Sequence, residues 1–553
     1  MDEGSPLWVG QLAFVILVAP VLAAIACLIL SWRYQKVTLK GMRMIGGARH
    51  QPPKPPVRSQ MPHGTLHVRF HDEKTLAPIS KEAEAAYQRM DRTLSGSVIV
   101  YLMAGITYAF ILAIVTLHVS EAGFLVWRFL FLFIAYLWPV TVAVSLVSGS
   151  RRKAIGAYLA VFLLVSLGTI IFSEETTFGQ LIFLWALLNL PGTVIVLLFL
   201  HRKLRAMGPM LLVFFTAAVA GAVGAFELLR QTSDEGFERM VEIAQAVGLS
   251  AEAMFWLILL AGTVILGVLG KQIWDLMGQF YRRKVFSDQM LVLDCLWLQF
   301  GIIQPLVIIQ SGWWTLAGLA GFIAYKLVTL IGFTLLRRYF PPAKPPPTLL
   351  LLRVFSLGHQ SERFFKVFGR WWLRWGSIRM IAGPDLVAAT VSPHEFLEFV
   401  AGRHLKRFVK NDQDLASRSA RIDNAIDPDG TYRVSEFFCH ADTWQRTMRT
   451  LARNSQAILM DLRSFAKTNQ GCTYELEQLL DYVDLDRVAL VIDNSTDREF
   501  LQQTLRDLWS RLLPDSPNRQ LANPTIHVFH ALKQDRDTMR ALLLMLGGTQ
   551  KIV

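Results

Sequence analysis

The hydrocarbon core of a bilayer offers the backbone no water. A segment that crosses it must therefore satisfy its own amides, and a spanning helix needs roughly 20 mainly apolar residues. Nine runs of that kind fall at about 8–31, 96–119, 124–149, 154–173, 178–200, 209–229, 252–272, 290–310 and 313–336. They predict an α-helical transmembrane bundle of about nine spans over residues 1–336. Composition agrees: 53% of the chain is hydrophobic and only 18% is charged, where a soluble protein carries about a quarter charged residues. The deficit is confined to the first 336 residues. The first run is too long for a cleavable leader, its flank carries Asp2 and Glu3, and its basic residues come after it. It reads as an anchor with the N-terminus outside.

The formal net charge is +13. In such a chain the excess of Lys and Arg is a topology signal, so the partner it implies is a lipid bilayer and not nucleic acid. Arg33, Lys36, Lys40, Arg43 and Arg49 follow the first run; Arg151, Arg152 and Lys153 follow the third. Arg202, Lys203 and Arg205 follow the fifth, Lys271, Arg282, Arg283 and Lys284 the seventh, and Arg337 and Arg338 the ninth. The alternate loops are acidic or short, with Glu121, Glu174, Glu175, Asp234, Glu235, Glu238 and Glu242. Every loop agrees with a cell-membrane protein whose C-terminus is cytoplasmic.

Two polar stretches interrupt the apolar part. Residues 32–95 form a cytoplasmic loop with the Pro-rich piece QPPKPPVR, read as extended or disordered, and a short helix KEAEAAYQRMD that leads into the second span. Residues 233–247 place Phe237, Val241 and Ala244 on one helical face, as an amphipathic surface helix or an ordinary loop helix would. Inside the spans, Asp294 and Lys326 lie 17 residues before and 14 after the turn at Ser311–Gly312. At about 1.5 Å per residue they differ in depth by about 5 Å, within reach of a Lys side chain. They read as an ion pair that locks the hairpin or as part of a transport site. Gln299, Gln304 and Pro305 extend the polar stripe. Ala217, Gly221 and Ala225 recur every four residues, the spacing of close helix packing.

After Arg338 the run YFPPAKPPPT makes a stiff spacer over 337–348. From 349 to 553 the period changes. Strands are expected at 349–355, 377–382, 432–438, 457–462, 487–493 and 525–530, with helices at about 361–374, 394–409, 442–454, 472–482, 497–511 and 534–546. Near-continuous apolar strands alternating with helices predict an α/β domain with a parallel sheet covered on both faces. Ligands of such sheets bind beyond the carboxyl ends of the strands. Ser356, Gly358 and His359; Gly383 and Asp385; Cys439, His440 and Asp442; Arg463; and Asp493, Asn494 and Ser495 lie there. No phosphate loop, G-x-G-x-x-G turn or nucleophile elbow is present. Cys439 and His440 are adjacent on a strand and point to opposite faces, which separates a thiol from its would-be base. His394-Glu395 lacks a second ligand pair, and the four cysteines have no zinc spacing, so no metal site is expected.

The segment NSQAILMDLRSFAKTNQGCTYELEQLL, residues 454–480, resembles the Toll/interleukin-1 receptor (TIR) family in a divergent bacterial form. That family opens a helix with Trp-Cys-x-x-Glu, which appears here as Gly471-Cys472-Thr473-Tyr474-Glu475. LLRVFSLGHQSERFF, residues 351–365, is similar to the family's first strand and helix entry. The resemblance implies a TIR-like, flavodoxin-like fold for residues 349–553 and puts Cys472 beside the ligand edge. In members that cleave NAD the motif's Glu stabilises the ribosyl cation, a role that falls on Glu475, with NAD as substrate and no resident cofactor. The alternative for Glu475 is a first-turn carboxylate that complements the helix dipole. Three functions follow: a membrane-anchored signalling or interaction protein that assembles with itself or a partner, a membrane-tethered NAD-cleaving enzyme, or a transporter with a regulatory domain.

Overall fold

The computed structural model describes every residue except 1–4, 45–63, 73–80, 121–123, 174–175, 202–203, 205–206, 233–241, 243–245, 342–344, 354–358, 384–392, 534 and 550–553. In chain order the elements are α1 (Ser5–Arg43), β1 (His67–His71), α2 (Lys81–Val119), α3 (Val126–Tyr136), α4 (Trp138–Ser148), α5 (Arg151–Phe172), α6 (Phe178–Phe199), α7 (Gly208–Thr232), α8 (Ala251–Arg282) and α9 (Asp288–Ile303). A 3-10 helix, Gln304–Leu316, then leads into α10 (Ala317–Tyr339). There follow β2 (Thr348–Arg353), α11 (His359–Trp372), β3 (Ser377–Ile381), α12 (Pro393–Val400), β4 (Phe408–Val409), α13 (Asp412–Ala420), β5 (Val434–Cys439) and α14 (Trp444–Arg453). The chain ends with β6 (Ala457–Asp461), α15 (Gln470–Tyr482), β7 (Val488–Ile492), α16 (Arg498–Trp509), β8 (Thr525–His530) and α17 (Arg536–Thr549).

The chain forms two compact units. The first comprises residues 1–34, 95–335 and 390–402, the second residues 35–94, 336–389 and 403–553. Most of the first polar loop thus groups with the sheet, and residues 390–402 group with the helices.

The described residues include seven stretches long and apolar enough to cross a membrane: Val15–Arg43, Lys81–Val119, Val126–Ser148, Arg151–Phe172, Phe178–Phe199, Asp288–Leu306 and Trp314–Tyr339. This is fewer than the nine expected. The runs at 209–229 and 252–272 are helical, in α7 and α8. Among the described residues, Gly208–Val223 of α7 is apolar, and the helix itself runs on to Thr232, 25 residues in all. The amphipathic helix expected at 233–247 and the Pro-rich piece 51–58 fall largely or wholly outside the described residues.

The third span is broken at Leu137, between α3 and α4, because Pro139 has no N–H to give to the carbonyl four residues back. Apolar surroundings make an unsatisfied carbonyl costly, and the bundle supplies side chains at the break. Tyr158 donates to Ile134 O at 2.9 Å, and Asn189 donates to Ala135 O at 3.1 Å. Asn189 accepts in turn from Gln304 Nε2 at 3.0 Å, and Gln304 accepts from Tyr108 at 2.8 Å. A Cβ on Gly318 would strike the carbonyl of Gly301, so α9 and α10 pack backbone to backbone only because both positions are glycine.

α12 packs within the first unit too, by paired polar and ring contacts. Tyr34 donates to Glu395 Oε2 at 3.2 Å, Arg282 pairs with Glu398 at 2.7 Å, and His394 Nδ1 meets Asp288 at 3.1 Å. Tyr281 stacks on His394, and Phe396 sits edge-on to Trp274. The helix expected at 394–409 therefore stops early, and Phe408–Val409 pairs as a short strand instead.

The second unit is built on one parallel sheet, ordered β1-β8-β7-β6-β2-β3-β5-β4. β2, β6 and β7 read TLLLLR, AILMD and VALVI, and every residue in them is buried, as strands covered on both faces require. Counted from β2 and leaving out β1 and β4, the six remaining strands run 3-2-1-4-5-6, with the reversal between β2 and β6. This is the dinucleotide-binding order of doubly wound sheets and differs from the flavodoxin-like 2-1-3-4-5 expected above. β3 and β6 occupy both sides of β2, so β5 adds outside β3.

Candidate functional site

The order reversal falls between β2 and β6, the place where doubly wound sheets take ligands beyond the carboxyl ends of their strands. Each strand ends there in a charge: Arg353 lies opposite Asp461 in register. Arg463 turns back onto Asp461 in a two-pronged ion pair, Nε at 2.8 Å and Nη2 at 2.7 Å, with both side chains 3% exposed. Its guanidinium covers the Phe364 ring of α11 at 4.5 Å. That pairing is geometrically good, which a buried charge pair needs to offset the loss of water.

Glu475 completes the buried group. α15 presents Cys472, Leu476 and Leu479 to the sheet, and Glu475 shares that face by helical spacing. It is 2% exposed and its Oε2 has no hydrogen-bond partner. Burial pushes its carboxyl up to about 8, and the nearby Arg353 offsets this only in part. Near neutral pH the side chain is an uncharged acid. Because α15 begins at Gln470, two residues earlier than expected, Glu475 lies beyond the first turn and does not serve the helix dipole there. The Cys472 thiol is raised too, first by burial and then by Glu475 and Asp461, so it is a packed thiol and no nucleophile.

The other strand-end residues are placed less centrally. Ser356, Gly358 and Asp385 lie outside the described residues, and Gly383 is buried just after β3. Asp493 accepts from the Ser495 amide at 2.9 Å, and Asn494 meets His530 at 3.0 Å. Ser495 joins Ser464 hydroxyl to hydroxyl at 2.6 Å, with Ser464 held at φ 56°, a strained value for a residue with a side chain. Asp493 thus belongs to an exposed cluster with Ser464, Arg498 and His530, apart from the buried group. Cys439 and His440 do not meet: the thiol is buried and raised to about 11, while His440 Nδ1 lies 2.7 Å from Gly41 O. Sequence reasoning passed over Arg353, Asp461, Ser464, Arg498 and His530. The signal for the first two was available, as the single charge that ends each apolar strand.

In the helical unit, Lys326 Nζ donates to Asp294 Oδ2 at 2.6 Å, as the span geometry predicts. Each charge is closed on the other, the arrangement of a lock. No protein-family model matches this chain, and neither a curated protein nor a solved structure is significantly similar to it. The fold and the two sites therefore define its class: a chain of several apolar, membrane-length helices joined to a parallel α/β domain.

Asp294→Asn should destabilise the purified protein by about 3 kcal/mol, because it strands an ammonium. Adding Lys326→Met should restore most of the unfolding temperature; failure of the double variant to recover would contradict a lock. For Glu475 the folded pKa lies above the unfolded one. The stability it contributes is complete below the unfolded carboxyl range and is lost as pH rises toward about 8, at about 1.4 kcal/mol per pH unit. The unfolding temperature of Glu475→Gln relative to wild type should therefore rise from pH 5 to about pH 8 and level off above it. A difference that does not change with pH would refute the buried acid.

Proposed function

We propose that this chain is a membrane-anchored signalling or interaction protein. Its apolar helices cross the cell membrane about nine times, with the N-terminus outside, and its α/β domain works on the cytoplasmic side as a TIR-like module that assembles with itself or a partner. The loop charges support the orientation, since every basic cluster falls on the same side as the C-terminus. One observation carries the choice among the three functions. The carboxyl that the TIR resemblance makes catalytic is 2% exposed and uncharged near neutral pH. A neutral, enclosed acid has no charge to give a ribosyl cation. The contact of Lys326 with Asp294 favours an anchor over a transport path.

NAD cleavage is the second reading, favoured by the position of Glu475 at the order reversal, where doubly wound sheets of this order take dinucleotides. The test uses the full chain in lipid discs, since the sheet includes a strand from the first polar loop. Crowding on a lipid surface raises the local concentration of domains that work only as assemblies. Incubation with NAD should release no nicotinamide at any density, in wild type or in Glu475→Ala. Release that depends on Glu475 would replace the interaction reading with the enzymatic one.

A further inference from the structure

The edge of the sheet at β8 is closed by β1, a five-residue strand from the loop between the first two membrane-length helices. Its hold is modest. His67 N–H donates to Pro524 O at 2.8 Å, Trp509 Nε1 donates to Gly64 O at 2.7 Å, and Leu66 enters the core. At the far end of the strand one contact stands out. His71 Nε2 lies 2.9 Å from His527 Nδ1 on β8, and the two rings stack with centroids 5.1 Å apart.

We propose that His71 and His527 form a pH-sensitive clasp, which holds β1 on the sheet at neutral pH and lets it go in acid. The geometry requires it. Two ring nitrogens at hydrogen-bond distance need one donor and one acceptor, so at least one ring must be neutral. When both are protonated, two donors and two positive charges face each other. His71 is 4% exposed, so water cannot take over there. The charged groups around the pair are Arg69 on β1, which opposes protonation of both rings, and Asp72 and Asp486, which favour it at His71 and His527 respectively. Burial outweighs the carboxylates, and both rings are pushed below the ordinary histidine range. The sign follows. A free strand binds more protons than a docked one, so docking is complete above roughly 6.5 and weakens as pH falls below it. Release uncovers the β8 edge, a row of backbone donors and acceptors of the kind that takes up another extended segment.

Hydrogen exchange of the full chain in lipid discs tests this, read as protection factors for amides 66–71 after correction for intrinsic rates. Wild-type protection should fall at least tenfold between pH 7.5 and pH 5.0, while amides of β6 and β7 keep theirs. The double variant His71→Phe with His527→Phe retains a ring pair that cannot titrate and should be flat. If that pair docks poorly at pH 7.5, His527→Gln, which keeps a neutral partner for His71, should show a shallower fall than wild type. Wild-type protection that is unchanged in acid, an equal fall in the variants, or a parallel loss in β6 and β7 would each overturn the clasp.

Discussion

Satisfying the backbone is the constraint on which the rest of this structure depends. In the first unit the answer is local: helices bond their own amides, and where Pro139 breaks one, Asn189 takes the released carbonyl of Ala135. In the second unit the answer is non-local. Each parallel strand needs neighbours far away in sequence. That need draws residues 67–71 onto β8 from more than four hundred positions away. Sheet completion therefore explains why a polar loop ahead of the second span is part of the α/β domain.

The same need produces the order reversal between β2 and β6, and with it the buried charges. Arg353, Asp461, Arg463 and Glu475 all lie where adjacent chain connections diverge to opposite faces of the sheet. Asp461 and Arg463 settle their charges against each other. Glu475 instead keeps its proton, because helix spacing carries it inward with Cys472 and Leu476. Its acidity is thus a product of packing. A group placed this way belongs to the core, which supports the interaction role proposed for the domain over catalysis.

Much of this was legible in the sequence. The six strands from β2 onward other than β4, and the helices between them, follow from β-rich apolar runs alternating with helical ones, within a few residues of their observed ends except for the helix expected at 394–409, which stops at Val400. Asp294 and Lys326 were placed together by counting rise per residue. What escaped was of two kinds. β1 reads HVRFH and buries only His71 fully, so an edge strand with one paired side leaves no apolar pattern to find. β4 is two residues long. Strand order escaped for a different reason: local pattern fixes which segments are strands, whereas order is decided by which faces the long connections cover. The burial of Glu475 was visible in principle, since it shares the apolar spacing of Cys472, Leu476 and Leu479, but a carboxylate in a motif draws the eye to chemistry first.

The central claim is that the carboxyl at the order reversal is an enclosed, neutral acid. Infrared difference spectroscopy of the full chain, with Glu475→Gln as the reference, reads this directly. At pH 7 the account predicts a protonated carboxylic acid band that is absent from the variant and converts to carboxylate only as pH passes about 8. A carboxylate signal from Glu475 already present at pH 7 would contradict it.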